Sequence, residues 1–368
     1  MAATDGSDIG PHRLVPAEEL KAMVRAMCQA KGCAEAEAAF VASNLVEANL
    51  TGHDSHGVGM MPTYVESFLK GMLKLNQTVR IVNDLGAVLV LDAQHGYGQA
   101  IGVQAMDLGM ERAQKHGVCL VATRNSHHLG RIGAWAEHCA DKGFASMHYV
   151  NVLSRPVVAP FGGRDGRFST NPYCAAVPRA NGEHIVLDMA TSKVALGKMR
   201  VAVRRGKSAP SESVLDQKGD PTDDPNVMYQ RPSGAMLPFG DHKGSGLALI
   251  CELFAGALAG GGTIASVGGG EGTPVNSMLS IVIRPDALNT PDRFGAQVEE
   301  LYGWVKASPP RDPANPVLVA GEPERRMKAA RLARGVPVEE ATWQELIAAG
   351  RKVNIDIERF APSARKVG

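Results

Sequence analysis

Apolar side chains follow a helical period near both ends of the chain. Residues 16–50 are rich in helix formers, and apolar side chains recur at helical spacing from Phe40 to Val46. A further helix is predicted at 62–71, and two more at 323–335 and 342–350. Both termini are therefore predicted to be helical.

Between these ends, the pattern changes to short apolar runs that predict strands separated by helices. Strands are predicted at 79–82, 87–92, 118–122, 145–151, 174–177, 184–188 and 277–284. Helices are predicted at 98–116, 132–142, 244–258 and 291–305, and a long loop region at 204–240, which is rich in Gly, Pro, Ser and Asp. The run at 118–122 is apolar throughout, which is typical of a strand buried on both faces.

This order of elements predicts a mixed α/β (α+β) fold with two domains. One would be a discontinuous helical domain, 12–80 and 302–368, and the other a central domain with a mixed β-sheet, 81–301. A Rossmann dinucleotide-binding unit requires G-x-G-x-x-G directly after a strand. The stretch GYGQAIG at 96–102 places its third glycine one position late, so the predicted fold is non-Rossmann.

Charge and cysteine usage narrow the class of protein further. The 39 basic and 38 acidic side chains give a formal net charge of +1, which attracts neither nucleic acid nor an anionic membrane. The first twelve residues lack the pattern of a signal peptide, and the apolar stretch at 247–258 is too short to span a bilayer and contains Glu252. The six cysteines have no Cys-x-x-Cys spacing and are expected to be reduced, buried thiols. These features predict a cytoplasmic protein without nucleic-acid or membrane partners.

The first candidate site is the stretch HDSHG at 53–57. It places two imidazoles, a carboxylate and a hydroxyl in four consecutive positions beside a predicted helix end. A histidine suits general acid catalysis when its pKa is near 7 and its orientation is held. A polar loop in which Asp and Ser cap a helix is the alternative interpretation.

The second candidate site, at 125–133, joins a predicted strand to a predicted helix. Free N–H groups at that helix start, with Arg131 nearby, would suit a phosphate, and Gly130 and Gly133 permit close backbone approach. An ordinary strand-to-helix connection remains possible for the same residues.

The third candidate site combines Thr170 and Asn171 with the end of the strand at 184–188. Asp188 ends an apolar run, and a partly buried carboxylate there needs a partner, for which a histidine is suitable. The alternative is that Asp188 caps the next segment.

The fourth candidate site, GDHKGSG at 240–246, opens a predicted apolar helix. Lys243 and the helix N-terminus could together hold a pyrophosphate. A glycine-rich turn capped by Asp241 is the alternative.

The order of these motifs resembles that of the malate/L-lactate/ureidoglycolate dehydrogenase family, nicotinamide-dependent oxidoreductases without a Rossmann fold. The resemblance spans about residues 14–350 and rests on DSHG at 54–57, SHHLG at 126–130, TNP at 170–172, DMATS at 188–192 and HKG at 242–244. It implies an enzyme that interconverts 2-oxo and 2-hydroxy acids with NAD or NADP and without a metal. It also implies a homodimer with the active site near the subunit and domain boundaries.

The resemblance also implies roles for individual residues. His56 would donate a proton to the substrate oxygen, and Ser55 and Asp188 would orient the His56 ring. His128 would act in acid–base catalysis or contact the cofactor. The residues implied to bind the cofactor are His127, His128, Leu129, Gly130, Thr170, Asn171, Asp188, Met189, Ala190, Ser192, His242, Lys243 and Gly244. No residue in this sequence distinguishes NAD from NADP.

One position departs from the family pattern. Most members carry an arginine four residues after the motif histidine, where it holds the substrate carboxylate, but this chain has Met60. A thioether cannot replace a bidentate guanidinium contact. The carboxylate would then be held by Arg155 or Arg131, or the substrate is not malate. Met60 and Met61 would line an adaptable apolar pocket, which favours phenylpyruvate-like 2-oxo acids.

Three other functions are compatible with parts of the pattern. Reduction of cyclic imino acids such as Δ1-piperideine-2-carboxylate would use the same cofactor and the same histidine, and the sequence does not separate it from 2-oxo acid reduction. A metal-dependent hydrolase or lyase would use His53, His56, His127 and His128 as ligands, although no carboxylate pattern completes such a site. A non-catalytic nucleotide-binding protein is the third alternative.

Overall fold

A computed structural model describes residues 10–204, 206–266 and 274–367. Most of the N-terminal stretch considered for targeting, 1–9, lies outside the described residues. The helices are α1 Ala17–Gln29, α2 Glu35–Leu50, α3 Met61–Leu69, α4 Gly98–His116, α5 Gly133–Ala140, α6 Leu196–Arg204, α7 His242–Cys251, α8 Pro291–Lys306, α9 Glu322–Arg334 and α10 Glu340–Lys352. The strands are β1 His12–Val15, β2 Arg80–Asp84, β3 Val88–Asp92, β4 Val118–His127, β5 Ala145–Leu153, β6 Tyr173–Val177, β7 Ile185–Met189, β8 Val214–Leu215, β9 Pro221–Thr222, β10 Ala235–Met236, β11 Val275–Ile283, β12 Val336–Glu339 and β13 Arg365–Val367.

A seven-stranded sheet in the order β2-β3-β4-β11-β5-β6-β7 forms the centre of the molecule. Strands β3 and β4 run parallel, and the other neighbouring strands in this sheet run antiparallel. This mixed sheet confirms the predicted mixed α/β class. It also differs from the mostly parallel sheet of a doubly wound dinucleotide-binding fold, in agreement with the missing glycine fingerprint.

The two ends of the chain meet in a second, three-stranded sheet. Strand β1 pairs with β12 and β13, so that His12 lies opposite Glu339 and Val367. The sequence did not predict this sheet, because its strands have three or four residues each and find their partners at the far end of the chain. The first hydrophobic core likewise combines both ends, with Leu20 and Tyr64 packed in the same cluster as Trp343. The domain boundaries at 80/81 and 301/302 stay a prediction.

The second core lies between the large sheet and helices α4 and α5. It includes Leu89 and Val121 from the sheet and Trp135 from α5. A Cβ atom at Gly102 would lie 2.6 Å from the Trp135 ring, so the glycine lets α4 approach α5 closely. Helix α4 has the bounds that the sequence predicts.

The described residues between 196 and 240 contain more regular secondary structure than predicted. Helix α6 was not predicted, and the predicted loop contains the small sheet β10-β8-β9 and a 3-10 helix, Pro225–Tyr229. A third core holds these pieces together and includes Met199, Val214 and Met236. Two-residue strands carry too little periodicity to be read from sequence.

The helix predicted at 244–258 changes type midway. Helix α7 continues into a π-helical segment, Glu252–Leu258, at the buried carboxylate of Glu252. That carboxylate accepts hydrogen bonds from the side-chain amides of Asn171 at 2.7 Å and Asn151 at 3.3 Å.

In the described ranges, no helix is long and apolar enough to cross a membrane. The six cysteines are free and buried, as predicted.

Candidate active site

The loop that carries His56 folds tightly around Asn49 at the end of α2. The Asn49 side chain accepts a hydrogen bond from the backbone N–H of Val58 at 2.8 Å and donates one to Asp54 Oδ1 at 2.6 Å. A Cβ atom at Gly57 would lie 2.2 Å from Asn49 Oδ1, so only glycine fits there. The DSHG motif therefore owes its conformation to Asn49 as well as to its own residues.

Arg331 on α9 holds the same loop from the C-terminal part of the chain. Its two terminal nitrogens donate to the two carboxylate oxygens of Asp54 at 2.7 and 2.9 Å, and it also donates to the Asn49 carbonyl. Arg331 is 8% exposed, whereas the Asp54 side chain is 46% exposed, so the guanidinium of this bidentate pair is shielded from water and the carboxylate is not. Arg331 was not predicted as a site residue, because no local pattern connects it with a loop 277 positions earlier in the chain.

The half-buried ring of His56 stacks on the ring of His128, with 5.4 Å between centroids and 13° between planes. Burial and then the charge of His53 lower the pKa of His56 to about 4, and the carboxylate of Asp188 acts in the opposite direction. Its Nδ1 atom is enclosed without a hydrogen-bond partner among the described residues. This leaves Nε2 as the ring nitrogen able to exchange a proton with a bound molecule.

The ring of His128 is held from behind by two buried side chains. The Tyr64 hydroxyl lies 2.7 Å from His128 Nδ1, and Gln99 Nε2 donates to the Tyr64 oxygen at 2.8 Å. Burial and then the charges of His56 and His127 lower the pKa of His128 well below its ordinary value. Neither Tyr64 nor Gln99 was predicted as part of the site, although Tyr64 lies only eight positions after His56.

His127 is enclosed in the interior of the protein. It is 1% exposed, and its ring meets Tyr64 and Tyr97 edge-on with centroids 5.2 and 6.4 Å away. Strand β4 extends to His127, whereas the sequence predicted that the strand ends at residue 122. The ring of His128 also contacts Tyr64, with 6.0 Å between centroids, so the two histidines of the motif share this tyrosine as a neighbour.

The carboxylate of Asp188 contacts the start of α5. Its Oδ2 atom accepts a hydrogen bond from the backbone N–H of Gly133 at 2.8 Å and lies 4.0 Å from Arg131 Nη1. The start of α5, where the sequence suggested a phosphate, thus carries a carboxylate of the protein. Arg131 is 2% exposed and also pairs with Glu137. No hydrogen bond joins Asp188 to His56 in the described part of the chain, and its orienting role stays a prediction.

Ser55 lies against the first turn of α6. A Cβ atom at Gly197 would be 2.7 Å from Ser55 Cβ, so this glycine allows the close approach. The predicted contact of Ser55 with the His56 ring also stays a prediction.

Three of the predicted cofactor segments converge at one place. The backbone N–H of Thr191 donates to the Thr170 carbonyl at 2.9 Å, and that of Phe239 donates to the Thr191 carbonyl at 3.0 Å. Helix α7 begins just beyond, with His242 and Lys243 exposed in its first turn. The backbone N–H groups of Lys243 and Gly244 donate to the Gly240 and Phe239 carbonyls at 3.1 and 3.0 Å, so the exposed lysine side chain and the positive end of the helix dipole are what this segment offers to an anionic group such as a diphosphate.

Several predicted cofactor residues have side chains that are enclosed by the protein itself. Leu129 belongs to the second core, Asn171 donates to Glu252 and to the Ala248 carbonyl, and Ser192 Oγ donates to the Val194 carbonyl. His127 is enclosed as described above. Leu129, Asn171 and Ser192 therefore have only backbone atoms to offer a ligand, whereas both ring nitrogens of His127 are buried without a hydrogen-bond partner among the described residues.

The predicted substrate residues differ in accessibility. Met60 is half-buried and packs against the first core, while Met61 is fully buried in that core and cannot line a pocket. Arg131 is enclosed, but Arg155 is half-buried and uses one nitrogen to donate to the Met228 carbonyl at 3.0 Å. Of the two arginines considered for the carboxylate, Arg155 is the accessible one.

The histidines of the motifs do not cluster as metal ligands. Within the ranges that the structure describes, no group of three or more His, Cys, Asp or Glu side chains is arranged to hold a metal ion. His53 faces Glu324 on α9, with 3.6 Å between Nε2 and Oε1, rather than the other histidines.

The fold is that of a known class of oxidoreductase. The model of the malate/L-lactate dehydrogenase family matches residues 15–347. The chain therefore belongs to this family and is a 2-hydroxy acid dehydrogenase, which confirms the resemblance drawn from the sequence motifs.

Individual relatives are similar over nearly the whole chain. Hydroxycarboxylate dehydrogenase B of Escherichia coli strain K12 is 43% identical over 344 residues, which cover 93% of this chain and 95% of the relative. A solved structure of the malate/lactate dehydrogenase type from E. coli superposes with a TM-score of 0.89 at 42% identity, covering 94% of this chain and 98% of that one. A Δ1-pyrroline-2-carboxylate/Δ1-piperideine-2-carboxylate reductase of Pseudomonas putida is 35% identical over 297 residues, covering 80% of this chain and 86% of the relative.

Proposed function

We propose that this enzyme transfers a hydride between NADH or NADPH and C2 of a small 2-oxo acid, with His56 as the proton donor. A bound reduced nicotinamide would supply the hydride. The observation that supports this proposal is the position of His56, stacked on His128 with its Nδ1 enclosed and its Nε2 left for a ligand. The first turn of α7, with Lys243, would hold the diphosphate of the cofactor.

His56 has to gain a proton before it can give one to the developing alkoxide. In the free enzyme, burial lowers its pKa to about 4, so the ring is neutral near pH 7 and ready to accept a proton from a hydroxy acid. A 2-oxo acid brings a carboxylate next to the ring, and this negative charge raises the pKa of His56. The charge of Asp188 acts in the same direction.

The substrate carboxylate would be held by Arg155, and Met60 would contact the substrate side chain. This assignment follows from the accessibility of Arg155 and from the thioether at the position where most of the family has arginine. An apolar side chain is better accommodated by Met60 than a second carboxylate. We therefore propose phenylpyruvate-like 2-oxo acids as better substrates than oxaloacetate.

Reduction of cyclic imino acids is the second candidate function. The identity to the P. putida reductase favours it, and His56 would then protonate an imine nitrogen in place of a carbonyl oxygen.

We further propose that the enzyme is a cytoplasmic homodimer. The exposed apolar side chains of α7 and its π-helical continuation support a dimer, since monomers rarely expose such a contiguous apolar surface.

A substrate panel tests the proposal. The purified enzyme would be assayed with 2-oxo acids and cyclic imines, each with NADH and with NADPH, by following cofactor oxidation. His56→Ala should lower kcat by ~10²–10⁴, with cofactor affinity largely kept. His53→Ala, on the same loop but directed at Glu324, is the matched control and should stay within about tenfold of wild type.

Two results would contradict the proposal. One is oxidation of neither reduced cofactor with any member of the panel. The other is near-normal turnover by His56→Ala.

A further inference from the structure

The hydroxyl of Tyr64 and the ring of His128 form a hydrogen bond inside the protein. Tyr64 Oη lies 2.7 Å from His128 Nδ1, and Tyr64 has no exposed surface. A hydrogen bond in such surroundings does not compete with water, so it can hold the ring and select its tautomer.

Gln99 determines the direction of this hydrogen bond. Its Nε2 atom is 2.8 Å from the Tyr64 oxygen and 3.4 Å from the backbone carbonyl oxygen of His128. A carbonyl oxygen only accepts, so the amide must present its NH₂ group on this side. The Tyr64 oxygen then accepts from Gln99, and its own hydrogen is left to donate. Among the described residues, His128 Nδ1 is the acceptor recorded for that hydrogen.

We propose that Tyr64, held by Gln99, is a positioning residue that keeps His128 neutral with its proton on Nε2. An Nδ1 atom that accepts a hydrogen bond carries no proton, so the neutral ring must carry it on Nε2. The recorded hydrogen bond of the His128 ring is made by Nδ1, which leaves Nε2 to donate to a bound molecule. His128 would therefore donate a hydrogen bond to the substrate while His56 carries the proton that is transferred. This division of roles rests on the proposed function.

The stacking of His56 on His128 favours one charged and one neutral ring over two charged rings. A positive charge on His56 opposes a second charge on His128, whose ring lies 5.4 Å away. Burial and the charges of His56 and His127 lower the pKa of His128 well below its ordinary value, in agreement with a neutral ring. Without Tyr64, the Nδ1 atom could take the proton, and Nε2 would become an acceptor facing the substrate oxygen.

The tautomer can be measured without substrate. In protein labelled with ¹⁵N-histidine, long-range ¹H–¹⁵N spectra distinguish a protonated from an unprotonated ring nitrogen, and His128→Gln identifies the His128 signals. The wild type should show Nδ1 unprotonated and Nε2 protonated. In Tyr64→Phe, the His128 population should shift toward the Nδ1-protonated form. Gln99→Met, which keeps side-chain length but removes the donor, should shift it in the same direction.

Kinetics then test whether the tautomer matters for turnover. Tyr64→Phe should lower kcat for 2-oxo acid reduction about ten- to a hundredfold, while the Kd of the reduced cofactor changes by less than about threefold. Tyr97→Phe is the matched control, because Tyr97 is equally buried and lies edge-on to His127 but bonds to Lys31 at 2.6 Å and not to His128. It should keep both the tautomer and kcat, and thermal unfolding checks that each variant is folded.

An unchanged His128 tautomer in folded Tyr64→Phe would overturn the inference, and so would a changed tautomer with wild-type kcat. A result that contradicts the proposed function can be distinguished from one that contradicts this inference. In that case the wild type would turn over no 2-oxo acid or imine, while the spectra would still report the Nε2-protonated ring and its dependence on Tyr64.

Discussion

The pair His56 and His128 shows how burial sets the protonation of the site. Removing the rings from water disfavours their charged forms, which is the largest cause of the lowered pKa of both. Asp188 is the nearby charge that opposes this effect at His56. A proton donor with so low a pKa in the free enzyme depends on the substrate's own charge to become protonated.

This dependence predicts opposite pH responses for the two directions of the reaction. Reduction requires a protonated His56, and with a pKa of about 4 the protonated fraction falls as pH rises above that value. We expect kcat/KM for reduction to fall by up to about tenfold per pH unit between about pH 5 and 7. Oxidation of the hydroxy acid requires the neutral ring and should be nearly constant over that range. Initial rates in both directions measure this, and a reduction rate that rises with pH would contradict the assignment.

We expect the side chain at position 60 to determine the preference between oxaloacetate and phenylpyruvate. Because Arg155 is proposed to hold the carboxylate that both substrates share, the guanidinium of Met60→Arg would be left to pair with the second carboxylate of oxaloacetate. The substitution should therefore raise kcat/KM for oxaloacetate relative to phenylpyruvate by about tenfold or more. Met60→Leu keeps an apolar side chain of similar size and should leave the ratio nearly unchanged. A ratio that is the same in Met60→Arg as in the wild type would show that position 60 does not contact the substrate side chain.

At the scale of elements, periodicity predicted the long helices and the strands of the large sheet. Helix α4 and strand β3 were located to within a residue, because their patterns span many turns or a full apolar run. Helix α6 and the terminal sheet were missed. Helix α6 directly precedes the segment predicted as a loop at 204–240, and no helix was assigned to its residues. Strands β1, β12 and β13 are specified by pairing between the chain ends rather than by a local pattern.

The candidate site was predictable to a similar extent. The motifs indicated His56, His128 and Asp188, because each motif is contiguous in the sequence. The side chains that hold them were not indicated, since Gln99 lies 35 positions after Tyr64 and Arg331 lies 277 positions after Asp54. Contacts over such separations follow from the packing of elements and leave no signal in a single sequence.

We expect helix α9 to contribute to catalysis without touching the substrate, through the contact of Arg331 with Asp54. Arg331→Ala removes the pair with Asp54 and should lower the free energy of unfolding by about 2 kcal/mol. It should also lower kcat about tenfold or more by loosening the loop of His56, while the KM for the cofactor stays similar. Arg331→Lys, which lacks the bidentate geometry, should recover stability better than kcat.

Lys328 provides the control on the same helix. It pairs with Glu47 at 2.6 Å, but its side chain is 42% exposed. Lys328→Ala should therefore change stability by less than about 1 kcal/mol and leave kcat unaffected. Denaturant unfolding and steady-state kinetics measure both quantities. Equal effects of the two alanine variants would mean that the Asp54 pair has no special role.

At the scale of the whole molecule, one surface exposes more apolar side chains than is usual for the surface of a monomeric protein. Leu249, Ile250 and Leu253 on α7 and its π-helical continuation are 46%, 39% and 44% exposed, and Leu258 is 65% exposed. Residues three and four positions apart lie on one face of a helix, so the first three side chains form one patch. This patch lies on the element that begins with His242 and Lys243, which connects the proposed dimer contact with the proposed cofactor segment.

Leu253→Glu tests whether this patch is the contact between two copies. In a two-fold symmetric dimer the substitution occurs twice, and each buried leucine contributes about 1.5 kcal/mol or more, so the dimer Kd should rise by about two orders of magnitude. Size-exclusion chromatography with light scattering should show a dimer for the wild type and a monomer for Leu253→Glu at micromolar concentration. Leu301→Glu, on α8 and 61% exposed, is the matched control and should stay dimeric. A monomeric wild type, or dissociation by Leu301→Glu alone, would place the contact elsewhere or exclude it.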